Sequence, residues 1–248
     1  MAQQFYVSPE QVMKDRADFA RKGIARGKSV VVLSFRDGMA LVAENPSPTL
    51  HKIGEIYDRI AFAAVGKYNE FESLRQAGVR YADVRGYSYN RVDVTARGLA
   101  SVYAQSLGTV FTAEQKPFEV ELAVAEVGDR EGEDHIFRLN FDGSISDESG
   151  YLAMGGKAEL VQATLAKVWS AGAELGQALR WAVSALEAPR LEAATTGAAT
   201  AGAGPAVRLG APTLEVAVLD RNAAAVGGSH RAFRRLSAAD VAAQLRTD

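Results

Sequence analysis

Ser29-Val-Val-Val-Leu-Ser-Phe-Arg36, Met39-Ala-Leu-Val-Ala-Glu44 and Ile60-Ala-Phe-Ala-Ala-Val65 are three apolar runs, the last closed by Gly66. Their length and apolar, β-branched content predict strands, and Asp37-Gly38 between the first two is a hairpin signal. Between the second and third lies Asn45-Pro-Ser-Pro-Thr-Leu-His-Lys-Ile53, read as a loop. Ahead of them stands a helix over residues 8–26. Ser8 is its N-cap, Pro9 suits the first helical position, and Gln11 is placed to close a capping box. Val7 and Val12 hold the two positions of a hydrophobic staple. Val12, Met13, Ala17, Ala20, Gly23 and Ile24 trace one apolar face, and Gly27 is the expected stop.

Outward from this block the pattern continues in groups. Tyr68 to about Arg85 reads as a helix, and a second helix, capped by Asp93, carries Leu99, Val102, Tyr103, Val110 and Phe111. Phe118–Ala125, His135–Phe141 and Tyr151–Met154 read as strands. Two more helices are marked by Leu160, Leu165, Trp169 and by Leu175, Leu179, Val183, Leu186. Residues 188–211 are nearly all Ala, Gly, Thr and Pro and predict a flexible surface loop. Strands at Thr213–Asp220 and Arg231–Leu236 and a short helix capped by Ser237 with Asp240 complete the chain.

Helices arriving in pairs between strand groups argue against alternating βαβ units. The pattern is α+β, two stacked sheets with a helical layer outside each: a four-layer αββα sandwich. The final strands are too few to fold alone and must complete the earlier sheets. The expected organisation is a short tail, residues 1–7, ahead of one domain, residues 8–248.

Composition narrows the function. Of 248 residues 48% are hydrophobic, enough for one large core. A net charge of −2 gives no electrostatic reason to expect nucleic acid or an anionic membrane. No apolar run approaches the ~20 residues that span a bilayer. The N-terminus lacks the basic region and apolar core of a signal peptide. The chain has no cysteine, which excludes disulfides and thiolate chemistry and is compatible with a cytoplasmic location.

Catalytic constellations fail at the first test. No G-x-S-x-G elbow exists. His51, His135 and His230 lie far apart without metal-ligand spacing, so neither a metal nor another cofactor is expected. Gly150–Lys157 imitates a phosphate-binding loop, but Ala158 stands where Ser or Thr would hold magnesium. Gly202-Ala-Gly204 lies in the low-complexity segment with no strand before it and is no dinucleotide site. An N-terminal nucleophile hydrolase needs a Thr, Ser or Cys as its first residue. Ser29 is the one candidate at the right strand, and freeing it would require cutting off the capped helix at Lys28-Ser29.

Several segments carry a resemblance: Phe5-Tyr-Val-Ser-Pro-Glu10, Ala20-Arg-Lys-Gly-Ile-Ala-Arg26, Val42-Ala-Glu-Asn-Pro46, Gly66-Lys-Tyr-Asn-Glu-Phe71, Arg85-Gly-Tyr87, Val102-Tyr-Ala-Gln105, Leu107-Gly-Thr109, Phe141-Asp-Gly-Ser144 and Met154-Gly-Gly156. Together they make the chain similar, over nearly its whole length, to the α subunits of actinobacterial 20S proteasomes. It lacks the Tyr-Asp-Arg opening of archaeal and eukaryotic α subunits. The resemblance implies the N-terminal nucleophile hydrolase fold in a non-catalytic form. The resemblance also implies that catalytic β subunits place an acid at the end of the second strand and a lysine before the third. Glu44 and Lys52 stand at roughly those positions, without the threonine.

The resemblance further implies a homo-heptameric α ring stacked on proteasome β subunits, with unfolded proteins as substrates in transit. Gln3, Gln4, Phe5, Tyr6 and Val7 would form a gate at the ring axis. Lys52 and Gly66 would form the pocket that receives the C-terminal tail of an activator, the lysine pairing with the terminal carboxylate and the glycine leaving room. The activators would be a ring-shaped ATPase serving proteins tagged with the small ubiquitin-like modifier Pup, or an ATP-independent ring. The competing readings are a self-processing hydrolase using Ser29 and a stand-alone binding module.

Overall fold

The computed structural model describes residues 8–195, 208–224 and 230–246. Helix α1 (Pro9–Ala25) precedes the hairpin β1 (Val30–Phe35) and β2 (Gly38–Glu44). The hairpin β3 (Ile53–Tyr57) and β4 (Ile60–Gly66) follows, then α2 (Tyr68–Ser88) and α3 (Ala96–Ala113). Next come β5 (Val120–Glu126), β6 (His135–Leu139), β7 (Ile145–Glu148) and β8 (Tyr151–Met154). Helices α4 (Ala158–Val168) and α5 (Leu175–Thr195), strands β9 (Leu214–Asp220) and β10 (Phe233–Arg235), and α6 (Ala238–Arg246) complete the order.

Two antiparallel five-stranded sheets form, ordered β10-β9-β2-β1-β8 and β3-β4-β5-β6-β7. Alternation along each strand explains the continuous apolar runs, because both faces are covered. On β1, Val30 and Val32 face the space between the sheets, while Val31 and Leu33 pack with Leu165, Leu179 and Leu186 of α4 and α5. On β4, Ala61, Ala63 and Val65 point inward; Ile60, Phe62 and Ala64 meet Phe71, Leu99 and Tyr103 of α2 and α3. The four-layer αββα sandwich is thus present.

Local details depart from expectation. Ser8 Oγ accepts from Gln11 N at 3.2 Å, but the Gln11 side chain donates to Asp15 at 2.7 Å instead of closing the box. Val7 lies outside the described residues. Only Ala20 and Ile24 of α1 are buried; Val12 and Met13, at the start of its apolar face, and Phe19 are exposed in the single chain. Thr95, not Asp93, caps α3, its Oγ1 accepting from Gly98 N. β3 begins at Ile53, the last residue of the expected loop, and runs through 54–57, where no element was expected.

The loop expected over 188–211 is corrected at both ends. Residues 188–195 continue α5, with Pro189 inside the helix. Ala, Leu, Glu and Arg are strong helix formers, and a missing large apolar residue does not prevent a helix on the surface. Leu209 and Ala211 are buried against the α5 side of the core, and Leu209 N donates to Glu187 Oε1 at 2.6 Å. Residues 196–207 lie outside the described residues.

Candidate functional site: the α1–β1 junction

Of the expected site residues, Lys52 and Gly66 both border the connection 26–29 between α1 and β1. Lys52 enters from the end of the 45–52 loop, just before β3. Its backbone carbonyl accepts from Ala64 N on β4 at 3.0 Å, and its Nζ donates to the carbonyl of Lys28 at 2.8 Å. Half-burial lowers Lys52 to about 8; Glu44 and Glu215 pull it back up, and Lys28 lowers it further. It remains a cation at neutral pH, held by a backbone carbonyl and not freely solvated.

Gly66 closes β4 on the other side of the connection. Its φ is +116°, and a Cβ there would stand 1.9 Å from the carbonyl oxygen of Glu119. Glycine is therefore required by this chain's own backbone, a reason separate from room for a ligand. Gly66 lines an open cavity of about 500 Å³ with Phe19, Gly23, Arg26, Gly27, Lys67 and Glu119. Lys52 is not among its walls, so lysine and glycine flank the junction from two sides.

The loop that delivers Lys52 is anchored by Glu215, a buried carboxylate near the start of β9. Glu215 accepts from Asn45 Nδ2 at 2.7 Å, from the backbone N–H groups of Lys52 at 2.9 Å and Ile53 at 3.2 Å, and from Arg235. Asn45 Nδ2 also reaches Leu50 O at 2.7 Å. A buried charge in a strand must be paired in this way; Glu215 was passed over in the sequence reading, although a carboxylate next to an apolar run was the available signal.

Glu44, at the end of β2, pairs with Lys28 Nζ at 3.0 Å and with Arg190 of α5. Ser29 follows the junction in unbroken chain, and its Oγ donates to Gly156 O at 2.7 Å. The acid and the lysine are both engaged with this junction, and the serine hydroxyl is committed to a backbone carbonyl. The arrangement presents no free α-amine to activate a nucleophile. Gln3, Gln4, Phe5, Tyr6 and Val7 lie outside the described residues. Among the described residues no group of three or more His, Cys, Asp or Glu could hold a metal, and no helix is long and apolar enough to cross a membrane.

A family model described as Proteasome subunit matches residues 24–199, from the end of α1 beyond α5. The chain belongs to the proteasome subunit family. A protein named Proteasome subunit alpha from Renibacterium salmoninarum is 68% identical over 241 residues, covering 97% of this chain and 94% of its own length. A protein of the same name from Pseudarthrobacter chlorophenolicus is 67% identical over 245 residues, 99% of this chain and all of its own. Another from Thermomonospora curvata is 58% identical over 238 residues, 96% and 95% of the two chains. Within the proteasome family the chain is an α subunit of the 20S core, of the actinobacterial type. The proteasome match begins at Ile24, so the greater part of α1 is placed by the full-length relatives.

Proposed function

We propose that this proteasome α subunit is non-catalytic. In this reading it forms the outer heptameric ring of the core particle and stacks on β subunits that carry the threonine nucleophile. It admits unfolded proteins through a gate made of residues 1–7 and docks an ATPase or ATP-independent activator at Lys52 and Gly66. The setting is the cytoplasm. The observation that carries the non-catalytic reading is Ser29: it stands at the start of β1 behind a helix of 17 residues, with its hydroxyl given to Gly156. Assembly is supported by apolar surface that the single chain leaves open. Val12, Met13 and Phe19 are exposed on α1, and Tyr87, Tyr89 and Val92 at the α2–α3 connection.

The test is co-expression with a smaller subunit that carries an N-terminal threonine. A particle of several hundred kilodaltons is expected, in which this chain keeps its N-terminus by intact mass. Deleting residues 2–7 speeds casein degradation and leaves small-peptide cleavage little changed. Cleavage at Lys28-Ser29, or an unchanged casein rate, overturns the corresponding part of the reading. Lys52→Ala particles should keep basal peptide cleavage and lose the response to an activator that docks a C-terminal tail.

A further inference from the structure

We propose that Lys28 and Arg190 join Lys52 in a three-cation cradle for the terminal carboxylate of an incoming peptide chain. Glu44 occupies that cradle as a resident stand-in until the carboxylate arrives. The inference rests on the docking role given to Lys52 and deepens it.

Glu44 Oε1 lies 3.0 Å from Lys28 Nζ and also accepts from Arg190 Nη2. Lys52 stands beside this pair, its Nζ donating to the carbonyl of Lys28 at 2.8 Å, and Glu44 is near enough to pull its pKa up. Two cations, from the α1–β1 junction and α5, thus hold one carboxylate, and a third, from the loop before β3, is hydrogen-bonded to the backbone of the first. Crowded like charges repel, and a second carboxylate relieves that repulsion. Glu215, the other acid near Lys52, is tied to Asn45, Arg235 and two backbone N–H groups and is not available to move.

Glu44 is different. Its side chain is mostly covered, yet the two cations that hold it sit at the surface, Lys28 more than half exposed and Arg190 one-third. Long, partly exposed side chains can turn from a resident carboxylate to an arriving one with little rearrangement of backbone. The planar fork of Arg190 suits a carboxylate with two oxygens, while the two lysines act as point charges. The cradle therefore recognises a free chain end and not the side chains before it.

The probe is a synthetic decapeptide with the C-terminal sequence of the ring-shaped activator, prepared as free acid and as amide. It is titrated against the assembled core particle. Arg190→Gln is expected to weaken the acid about tenfold and Lys28→Gln about threefold, with the amide unaffected. Glu44→Gln is expected to strengthen the acid several-fold, because a neutral competitor holds the cations less well. Arg190→Lys should recover part of the loss, separating charge from a folding defect. Parental affinity in both Arg190→Gln and Lys28→Gln, with affinity lost in Lys52→Ala, overturns the cradle and leaves the Lys52 pocket standing. Weakening by Glu44→Gln overturns the stand-in role. Parental binding by Lys52→Ala shows that the docking reading itself is wrong.

Discussion

Arg221 and Asp134 form a buried ion pair that bolts one sheet to the other: the side chains are 7% and 5% exposed, with two contacts of 2.8 and 3.1 Å. Arg221 follows β9 in the first sheet, and Asp134 precedes β6 in the second. The guanidinium also donates to Gly128 O and Arg130 O, each at 2.8 Å. Removing one partner of such a pair leaves an uncompensated buried charge. Asp134→Ala is expected to cost about 3–5 kcal/mol, read as a lower urea midpoint. The double variant Arg221→Met with Asp134→Leu should lose less. A loss below about 1 kcal/mol in the single variant would show that the pair is ornamental.

Tyr103 gives the opposite expectation. Its hydroxyl is buried under α2 with no hydrogen-bond partner among the described residues, and burial raises its pKa so that it stays neutral. An unsatisfied buried hydroxyl costs about 1–3 kcal/mol. Tyr103→Phe, which keeps the ring against Phe62, should be neutral or stabilising in thermal melting. A clear drop in Tm would reveal a bond that the hydroxyl makes.

Activator docking should depend on pH through Lys52. Burial holds its folded pKa at about 8, so the cation is present at neutral pH and fades as the pH rises through that value. Carboxylate binding is expected to be full below about pH 8 and to weaken above it, the bound carboxylate shifting the decline upward. Lys52→Arg stays charged across the range and should flatten the profile. A parent profile that is flat from about pH 7 to 9.5 would detach binding from this lysine.

Deleting residues 8–26 should prevent assembly. Ala20 and Ile24 pack into the layer between the sheets, and Arg16 donates to Phe111 O at 2.7 Å and Thr112 O at 3.1 Å, so α1 covers core and ties down the end of α3. Loss of high-mass particles on gel filtration is the expected result. Normal particles would show the helix to be dispensable.

Three strands and α1 were legible because their signals are local: β1, β2 and β4 are apolar on both faces, and Ser8-Pro9 marks a helix start whatever follows. Ile53-Gly-Glu-Ile-Tyr57 was not, since Gly54 and Glu55 weaken the pattern and only pairing with β4, beside the Glu215 anchor, makes it a strand. The end of α5 was misplaced because alanine content was weighed as poverty of core, not as helix propensity. Lys52 and Gly66 came from family likeness. Residues 28, 44, 52, 190 and 215 come together only in three dimensions, so no spacing announces them.

The pairing of β2 with β9 sets the order in which the molecule can be built. Beyond their hairpin with β1, residues 38–44 find a second partner only at 214–220, and β1 finds β8 only at 151–154. The second sheet, by contrast, pairs each strand with the next along the chain. As the polypeptide leaves the ribosome, the β3–β7 meander can close while the first hairpin waits, both of its edges and both of its apolar faces unpartnered. Folding that depends on such distant closure is slow and exposed to aggregation. Productive synthesis of this subunit should therefore lean on chaperones that shield residues 30–44 until the last quarter of the chain emerges.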